Sequence, residues 1–257
     1  MRLSYSKLST FLDCGFKYKL RYIHRLPQKP RSYLRLGSVL HSVLGRFYLD
    51  AGDTPPDLEY LLSLYQEVWP YPKPSQQKQY DLGIEILKGY YQYNMDYWHP
   101  AIWVEFSFNV PFGGHTIEGV FDRVDRLEDG RMEIIDYKAQ KALPTQEEVD
   151  ENLQLSVYAL AFREITGDIP DLLSIYHLRS NRKWTTSRSS EEIDAIASRI
   201  LEIAGQITFR RNFEPKENRG CRWCDYKDYC PLKVAHPLAI PQKETQRQLS
   251  LWVPAYA

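Results

Sequence analysis

The chain has 257 residues, 43% of them hydrophobic, enough for one large domain or for a core domain with a helical elaboration. Lys plus Arg and Asp plus Glu are both 33, so attraction to phosphate must come from a local patch and not from net charge. No apolar run reaches the length of a membrane span and residues 1–4 open no signal-peptide core, so a cytoplasmic protein with no membrane partner is expected.

Up to about residue 99 the pattern is helical. Leu36, Val39, Leu40, Val43, Leu44 and Phe47 recur at helical spacing in LRLGSVLHSVLGRFYL, and DLGIEILKGYYQYNMDYW carries a further apolar stripe. Pro-rich breaks at 54–56 and 70–74 separate the helices. From Ile102 the period changes to two: IWVEFSFNV, HTIEGVFDRVDRL and MEIIDYK read as strands, joined by turns at Gly113-Gly114 and Asp129-Gly130.

Thr145 with Glu148 is a capping box opening one helix to about Thr166, and LLSIYHLRS and KWTTS follow as two strands. Ser189 with Glu192 opens a last helix to about Arg211. Three strands, a crossover helix and a further strand predict a mixed sheet in an α/β core with an N-terminal helical layer.

In the strand ending at Lys138, alternation sends Ile134, Asp136 and Lys138 to one face and Ile135 and Tyr137 to the other. Burying that charged pair is costly without a partner, and a metal ion shared with Asp122 on the neighbouring strand would be one. The plain alternative makes Asp122, Arg123, Asp125 and Arg126 a surface charge ladder and Asp136 and Lys138 an exposed pair; spacing leaves both open. Near the far end, GCRWCDYKDYCP places Cys221, Cys224 and Cys230 as three thiolate ligands, with Cys14 or His236 as the fourth.

The pair GVFDR (119–123) and IDYK (135–138) resembles the catalytic hairpin of the PD-(D/E)XK nuclease superfamily. More specifically, it is similar to the RecB-like branch, which includes CRISPR-associated adaptation nucleases and the nuclease domains of helicase-nuclease repair complexes. The resemblance implies an α/β fold with the mixed central sheet of a restriction-endonuclease-like core, an N-terminal helical layer and a C-terminal iron–sulfur segment. Asp122, Asp136 and Lys138 would be catalytic. His41 in GSVLHSVL, flanked by Gly37 and Gly45, would bind Mg2+ or Mn2+ with Asp122, Asp136 and the backbone carbonyl of Tyr137. Lys138 would position the attacking water, Gln154 and Tyr158 in QLSVY would hold the DNA strand, and Glu105 is the acidic residue that often precedes the hairpin.

In the same branch, cysteines at the places of Cys14, Cys221, Cys224 and Cys230 bind a 4Fe-4S cluster, with zinc on the same thiolates as the alternative. Tyr18, Tyr22, Trp223, Tyr226 and Tyr229 among nearby Lys and Arg residues would stack on DNA or pack around the cluster. Ala139-Gln140-Lys141 and the glycine after Cys14 depart from the family pattern and put the loop geometry and the subfamily in doubt. QLSLW, with Gln248, Leu249, Leu251 and Trp252, resembles the bacterial sliding-clamp-binding peptide.

The organisation expected is a single RecB-like nuclease domain over 1–235, with a helical layer at 1–99, a catalytic core at 100–211 and the cysteine cluster at 212–235, followed by a flexible tail at 236–257. The function implied is a metal-dependent DNA nuclease, an exonuclease on single-stranded ends in DNA repair or recombination. Its expected partners are DNA, a sliding clamp and a helicase or recombination protein. The rivals are a non-catalytic DNA-binding or clamp-associated module that keeps the fold, and a nuclease directed at RNA.

Overall fold

The computed structural model describes residues 1–29, 32–210 and 212–241, with backbone alone for 32–34. In chain order the elements are β1 (Arg2–Leu3), α1 (Tyr5–Asp13), α2 (Gly15–Tyr18), a π-helical turn (Lys19–Ile23), α3 (Ser32–Leu49), α4 (Leu58–Val68) and α5 (Gln77–Asn94). Then follow β2 (Ala101–Phe112), β3 (His115–Arg126), β4 (Met132–Lys138), α6 (Gln146–Asp150), α7 (Leu153–Thr166), β5 (Leu172–His177), β6 (Arg182–Thr186) and α8 (Ser190–Phe209). The chain divides into two compact units, one from residues 1–2 and 31–199 and the other from residues 3–30 and 200–257, the division falling inside α8.

The six-stranded sheet runs β1-β3-β4-β5-β6, with β2 paired to β3 off this path. β2, β3 and β4 form an antiparallel meander, β5 joins β4 in parallel after the α6–α7 crossover, and β6 returns antiparallel to β5. This is the mixed α/β sheet expected from the change of period at Ile102, and β4 has the bounds of MEIIDYK. Both capping boxes form: the Thr145 hydroxyl accepts the Glu148 N–H and the Glu148 carboxylate the Thr145 N–H, and Ser189 and Glu192 exchange bonds in the same way.

The single helix expected from Thr145 to Thr166 is two. Asn152 accepts the Leu155 N–H at 3.1 Å and starts a new helix, because its side chain satisfies a first-turn donor that continued helix would not need satisfied. This second start places Gln154 in the first turn of α7 and Tyr158 one turn further on.

The predicted stripe of α3 is buried from Leu36 to Phe47, and packs with Leu61, Leu64 and Tyr65 of α4, Ile86, Leu87 and Tyr90 of α5, and Ile135, Tyr137, Tyr176 and Leu178 of the sheet. On α7, Tyr158 and Phe162 meet the aromatic cluster of Trp103 and Phe121. At roughly 1.5–3 kcal/mol for each large apolar side chain removed from water, these two layers hold the hairpin from both sides. The charge-ladder reading of β3 fails: Asp122, Arg123 and Asp125 are buried, and only Arg126 of the four is exposed.

In the second unit, Leu20, Leu26 and Tyr226 form a small core, and the Tyr226 hydroxyl donates to the Leu26 carbonyl at 3.0 Å. Tyr18 stacks on Phe213, also buried. No helix among the described residues is long and apolar enough to cross a membrane.

Candidate active site

The β3–β4 ladder runs from Arg126–Met132 to Arg123–Ile135. Beyond it, Asp122 Oδ2 accepts the Tyr137 backbone N–H at 2.8 Å, so a carboxylate stands where a strand carbonyl would continue the sheet. The two strands separate around that side chain. His41, on the flank of α3 beside the buried stripe, brings Nδ1 to 3.3 Å from the same oxygen.

Glu105 of β2 lies between the register pairs Val104–Arg123 and Phe106–Phe121, opposite Asp122. Its φ of 45° is in the left-handed region, uncommon for a non-glycine residue and costly inside a strand. The space it turns into is left by Gly45, where a Cβ would come within 2.7 Å of Glu105 Cγ. Among the described residues, the ligand atoms of His41, Glu105 and Asp122 lie within 4.8 Å of one another.

Asp136 is bound differently. Its Oδ2 lies 2.6 Å from Lys138 Nζ, while Gln154 donates to its Oδ1 at 2.8 Å. Lys138 in turn donates to Gln154 Oε1 at 2.8 Å, and the Gln154 amide also donates to the Tyr158 hydroxyl at 2.9 Å. One carboxamide therefore holds both the acid and the ammonium in place. Gln154 and Tyr158, expected on the DNA strand, are here joined to Asp136 and Lys138.

The electrostatics report excess negative charge. Burial and then the Asp122 charge push the Glu105 carboxyl up, against the pull of His41. Burial also raises Asp136, which Lys138 pulls down and Asp122 pushes up again. For His41 burial favours the neutral ring, but the hydrogen bond to Asp122 and the charges of Asp122, Asp136 and Glu105 outweigh it, and its pKa rises. Acids held toward neutrality around a histidine held toward charge are what a divalent cation would relieve, and the Glu105 and Asp122 carboxylates with the His41 imidazole are a fitting donor set for Mg2+ or Mn2+, while Asp136, expected in that set, has its oxygens on Lys138 and Gln154. His41, Glu105 and Lys138 line a cleft of about 1290 Å³, together with Lys78, Lys141 and Arg179.

Sequence reasoning missed the support behind this site. Arg123 donates to the Tyr90 hydroxyl at 2.8 Å and the Tyr137 hydroxyl at 2.9 Å, and pairs with Asp125 at 2.8 Å. Tyr48 and His99 complete the network, His99 reaching Asp125 at 3.0 Å. Burial opposes the charge on Asp125, but Arg123 and His99 outweigh it and lower its pKa. The available signal is the second acid of DRVD, which on spacing alone reads as a surface charge.

In the second unit Cys14, Cys221, Cys224 and Cys230 line one cavity, and none of them is in a disulfide. The backbone N–H groups of Lys17 and Lys216 point at Cys14 Sγ at 3.5 and 3.4 Å, and that of Asn218 at Cys221 Sγ at 3.4 Å. Tyr18 and Tyr226 of the candidate stacking surface are buried in this unit's core, whereas Trp223 is exposed. Gln248, Leu249, Leu251 and Trp252 lie outside the described residues.

The family model of the PD-(D/E)XK nuclease superfamily matches residues 2–231. The chain is similar to the "Gene 69 protein" of Mycobacterium phage D29, with 22% identity covering 89% of this chain and 96% of the phage protein. It is also similar to a subunit of an ATP-dependent helicase/deoxyribonuclease from Streptococcus equi subsp. zooepidemicus (strain H70), 30% identical over 54% of this chain but only 14% of that protein. Among solved structures, "Putative exonuclease" from Eubacterium rectale superposes with a TM-score of 0.57 at 13% identity, covering 96% of this chain and 92% of the other.

Gly45→Ala tests the close approach. Alanine favours the helix by about 1 kcal/mol, which offsets part of the steric cost of moving Glu105 and should keep the chain folded, while displacement of Glu105 should weaken Mn2+ binding by about tenfold in calorimetry. Unchanged affinity would remove Glu105 from the ligand set.

Proposed function

The chain belongs to the PD-(D/E)XK nuclease superfamily, and from that premise we propose that it hydrolyses DNA phosphodiester bonds as a divalent-metal-dependent exonuclease on single-stranded ends. The observation that carries this reading is the set of His41, Glu105 and Asp122, of which His41 and Glu105 line the same cleft as Lys138.

His41, Asp122, Asp136, Glu105 and the backbone carbonyl of Tyr137 would hold Mg2+ or Mn2+. Such an ion, when bound, polarises the phosphate and neutralises developing charge. Lys138 orients the attacking water and meets negative charge growing on the phosphate oxygens, while Asp136 and Gln154 keep its ammonium in one direction. Tyr158, whose phenol is pushed up by burial and the nearby carboxylates, stays a neutral hydrogen-bonding partner of Gln154. Lys78, Lys141 and Arg179 supply the local phosphate attraction that a balanced net charge lacks.

A non-catalytic binding module would have little use for a buried aspartate paired with a half-buried lysine and held by a glutamine. RNA as substrate uses the same groups and is separated from DNA by assay. Lys138→Ala should lower Mn2+-dependent release from end-labelled single-stranded DNA by at least about 100-fold with the circular dichroism melt unchanged. Equal activity in the variant would refute the catalytic assignment.

The four cysteines are proposed to hold a 4Fe-4S cluster in the second unit. Backbone N–H groups directed at sulfur favour thiolates, and burial, which raises the Cys224 thiol, favours a ligand that takes up its charge. Anaerobic purification should give brown protein with about four irons per chain, and Cys14→Ser should lose the colour. A colourless protein with stoichiometric zinc would overturn this assignment.

The segment Gln248–Trp252 is proposed to recruit a bacterial sliding clamp through Leu249, Leu251 and Trp252, and so to bring the nuclease to DNA repair or recombination in the cytoplasm, beside a helicase or recombination partner. Deleting residues 248–252 should abolish clamp pull-down and leave cleavage of free DNA intact. Undiminished pull-down would exclude the motif.

A further inference from the structure

Past the end of the β4–β5 pairing, His177, Leu178 and Arg179 hold the carbonyls of the segment that leaves Lys138. The Leu178 N–H donates to the Lys138 carbonyl at 2.9 Å, Arg179 Nε to the Ala139 carbonyl at 2.6 Å, and His177 Nε2 to the Gln140 carbonyl at 2.8 Å. A carbonyl only accepts, so the His177 proton sits on Nε2, and Nδ1 accepts the Ser180 hydroxyl at 2.9 Å. Burial holds that ring toward its neutral form. The ladder ends at the pair Lys138–His177, and side chains take over where strand donors stop.

Arg179 does more than satisfy one carbonyl. It is half-buried and lines the cleft that also holds His41, Glu105 and Lys138. Among the described residues its two Nη groups have neither a hydrogen bond nor an ion pair. The other cations of the lining differ: Lys138 pairs with Asp136, Arg46 pairs with Glu67 at 2.9 Å, and Lys78 and Lys141 are exposed on long flexible stems. Glu105 is the one carboxylate among the described lining residues, and it belongs to the proposed metal set. Arg179 is thus anchored at Nε, with the Nη1–Nη2 edge left to pair with two oxygens of a phosphate.

The anchor also decides which phosphate is met. The carbonyl that holds Nε belongs to the residue after Lys138, so the guanidinium stands one residue beyond the ammonium assigned to the phosphate under attack. We infer that Arg179 grips the phosphate next to the scissile one and thereby sets the register of the strand in the cleft. The inference rests on the nuclease reading and names the substrate group recognised beside the reacting bond. The stretch held in this way, Ala139-Gln140-Lys141, is the one that departs from the family pattern, so the contact is a property of this chain's own loop.

The test is Mn2+-dependent cleavage of a short thymidine strand by the full chain, followed at one bond by mass spectrometry of the products. The linkage on the 5′ or the 3′ side of that bond is a phosphate or an uncharged methylphosphonate. In the parent, neutralising one of the two neighbours should lower kcat/KM at the bond at least about tenfold, the effect of losing one charge-assisted pair. Arg179→Gln should cut the all-phosphate strand more slowly, and in it the same methylphosphonate should cost less than about threefold, because the partner of the missing charge is already gone. His177 and Leu178 still hold the loop in that variant, so its melt should match the parent's.

Loss of the Ala139 anchor alone would slow both strands equally and leave their ratio at the parental value. Such a ratio overturns the inference, as does a parent indifferent to both neighbours. Sensitivity on the 5′ side and sensitivity on the 3′ side each support it, and the side gives the direction in which the strand lies. A parent that cuts no strand with Mn2+ refutes the nuclease reading itself, whereas cleavage with an unchanged ratio in the variant removes Arg179 alone.

Discussion

The bond from the Tyr137 amide to the Asp122 carboxylate organises the first unit. It ends the β3–β4 ladder at Arg123–Ile135 and opens a gap between two strands that would otherwise continue side by side. Tyr137 is then fixed at both ends, its N–H by an acid and its hydroxyl by the Arg123 guanidinium. Asp136 and Lys138 are its chain neighbours, so their directions follow from a residue that has little freedom to turn. His41 and Glu105 enter the gap from α3 and β2, and each depends on a local concession: the flank of an apolar helix for one, a left-handed residue in a strand for the other.

Charge is arranged in two regions around that residue. On one side burial, and then the charge of Asp122, raise Glu105 and Asp136, while the surrounding carboxylates raise His41 against its own burial. On the other, Arg123 is enclosed by Tyr48, Tyr90, Tyr137 and Asp125. A buried ion pair of this kind often adds little net stability, because taking both charges out of water offsets their attraction. Its evident effect here is orientation, since Nη1 donates to hydroxyls of α5 and β4 while Nη2 is held by Asp125 of its own strand.

Much of the fold was legible because it is local. Periods of two and 3.6, two capping boxes and paired turn residues mark most elements, and MEIIDYK gives β4 without adjustment. The break at Asn152 was not legible, because an asparagine inside an apolar helical pattern reads equally as a surface residue or a new cap. Asp122, Asp136 and Lys138 were singled out by strand alternation and the cost of burying a charged pair, with the surface alternative left open, and His41 by a family resemblance. Burial of Arg123 and Asp125 depends on α3, α5 and the segment carrying His99, which lie far away in sequence, and alternation along β3 carries no trace of them. Glu105 was visible as an acid in a strand, but its reversed φ and the glycine opposite are properties of the assembled sheet.

The second unit is discontinuous, drawn from residues 3–30 and 200–257 around a first unit that is nearly continuous over 31–199. During synthesis Cys14 leaves the ribosome early and its companions Cys221, Cys224 and Cys230 late, with the whole central sheet made in between. The closure entropy of so long a loop grows only logarithmically with its length, so an intervening segment that has already folded and shortened the span makes late closure easier. The order of translation thereby favours a finished central sheet before the thiols meet, and leaves Cys14 as the thiol that must wait longest in reduced form.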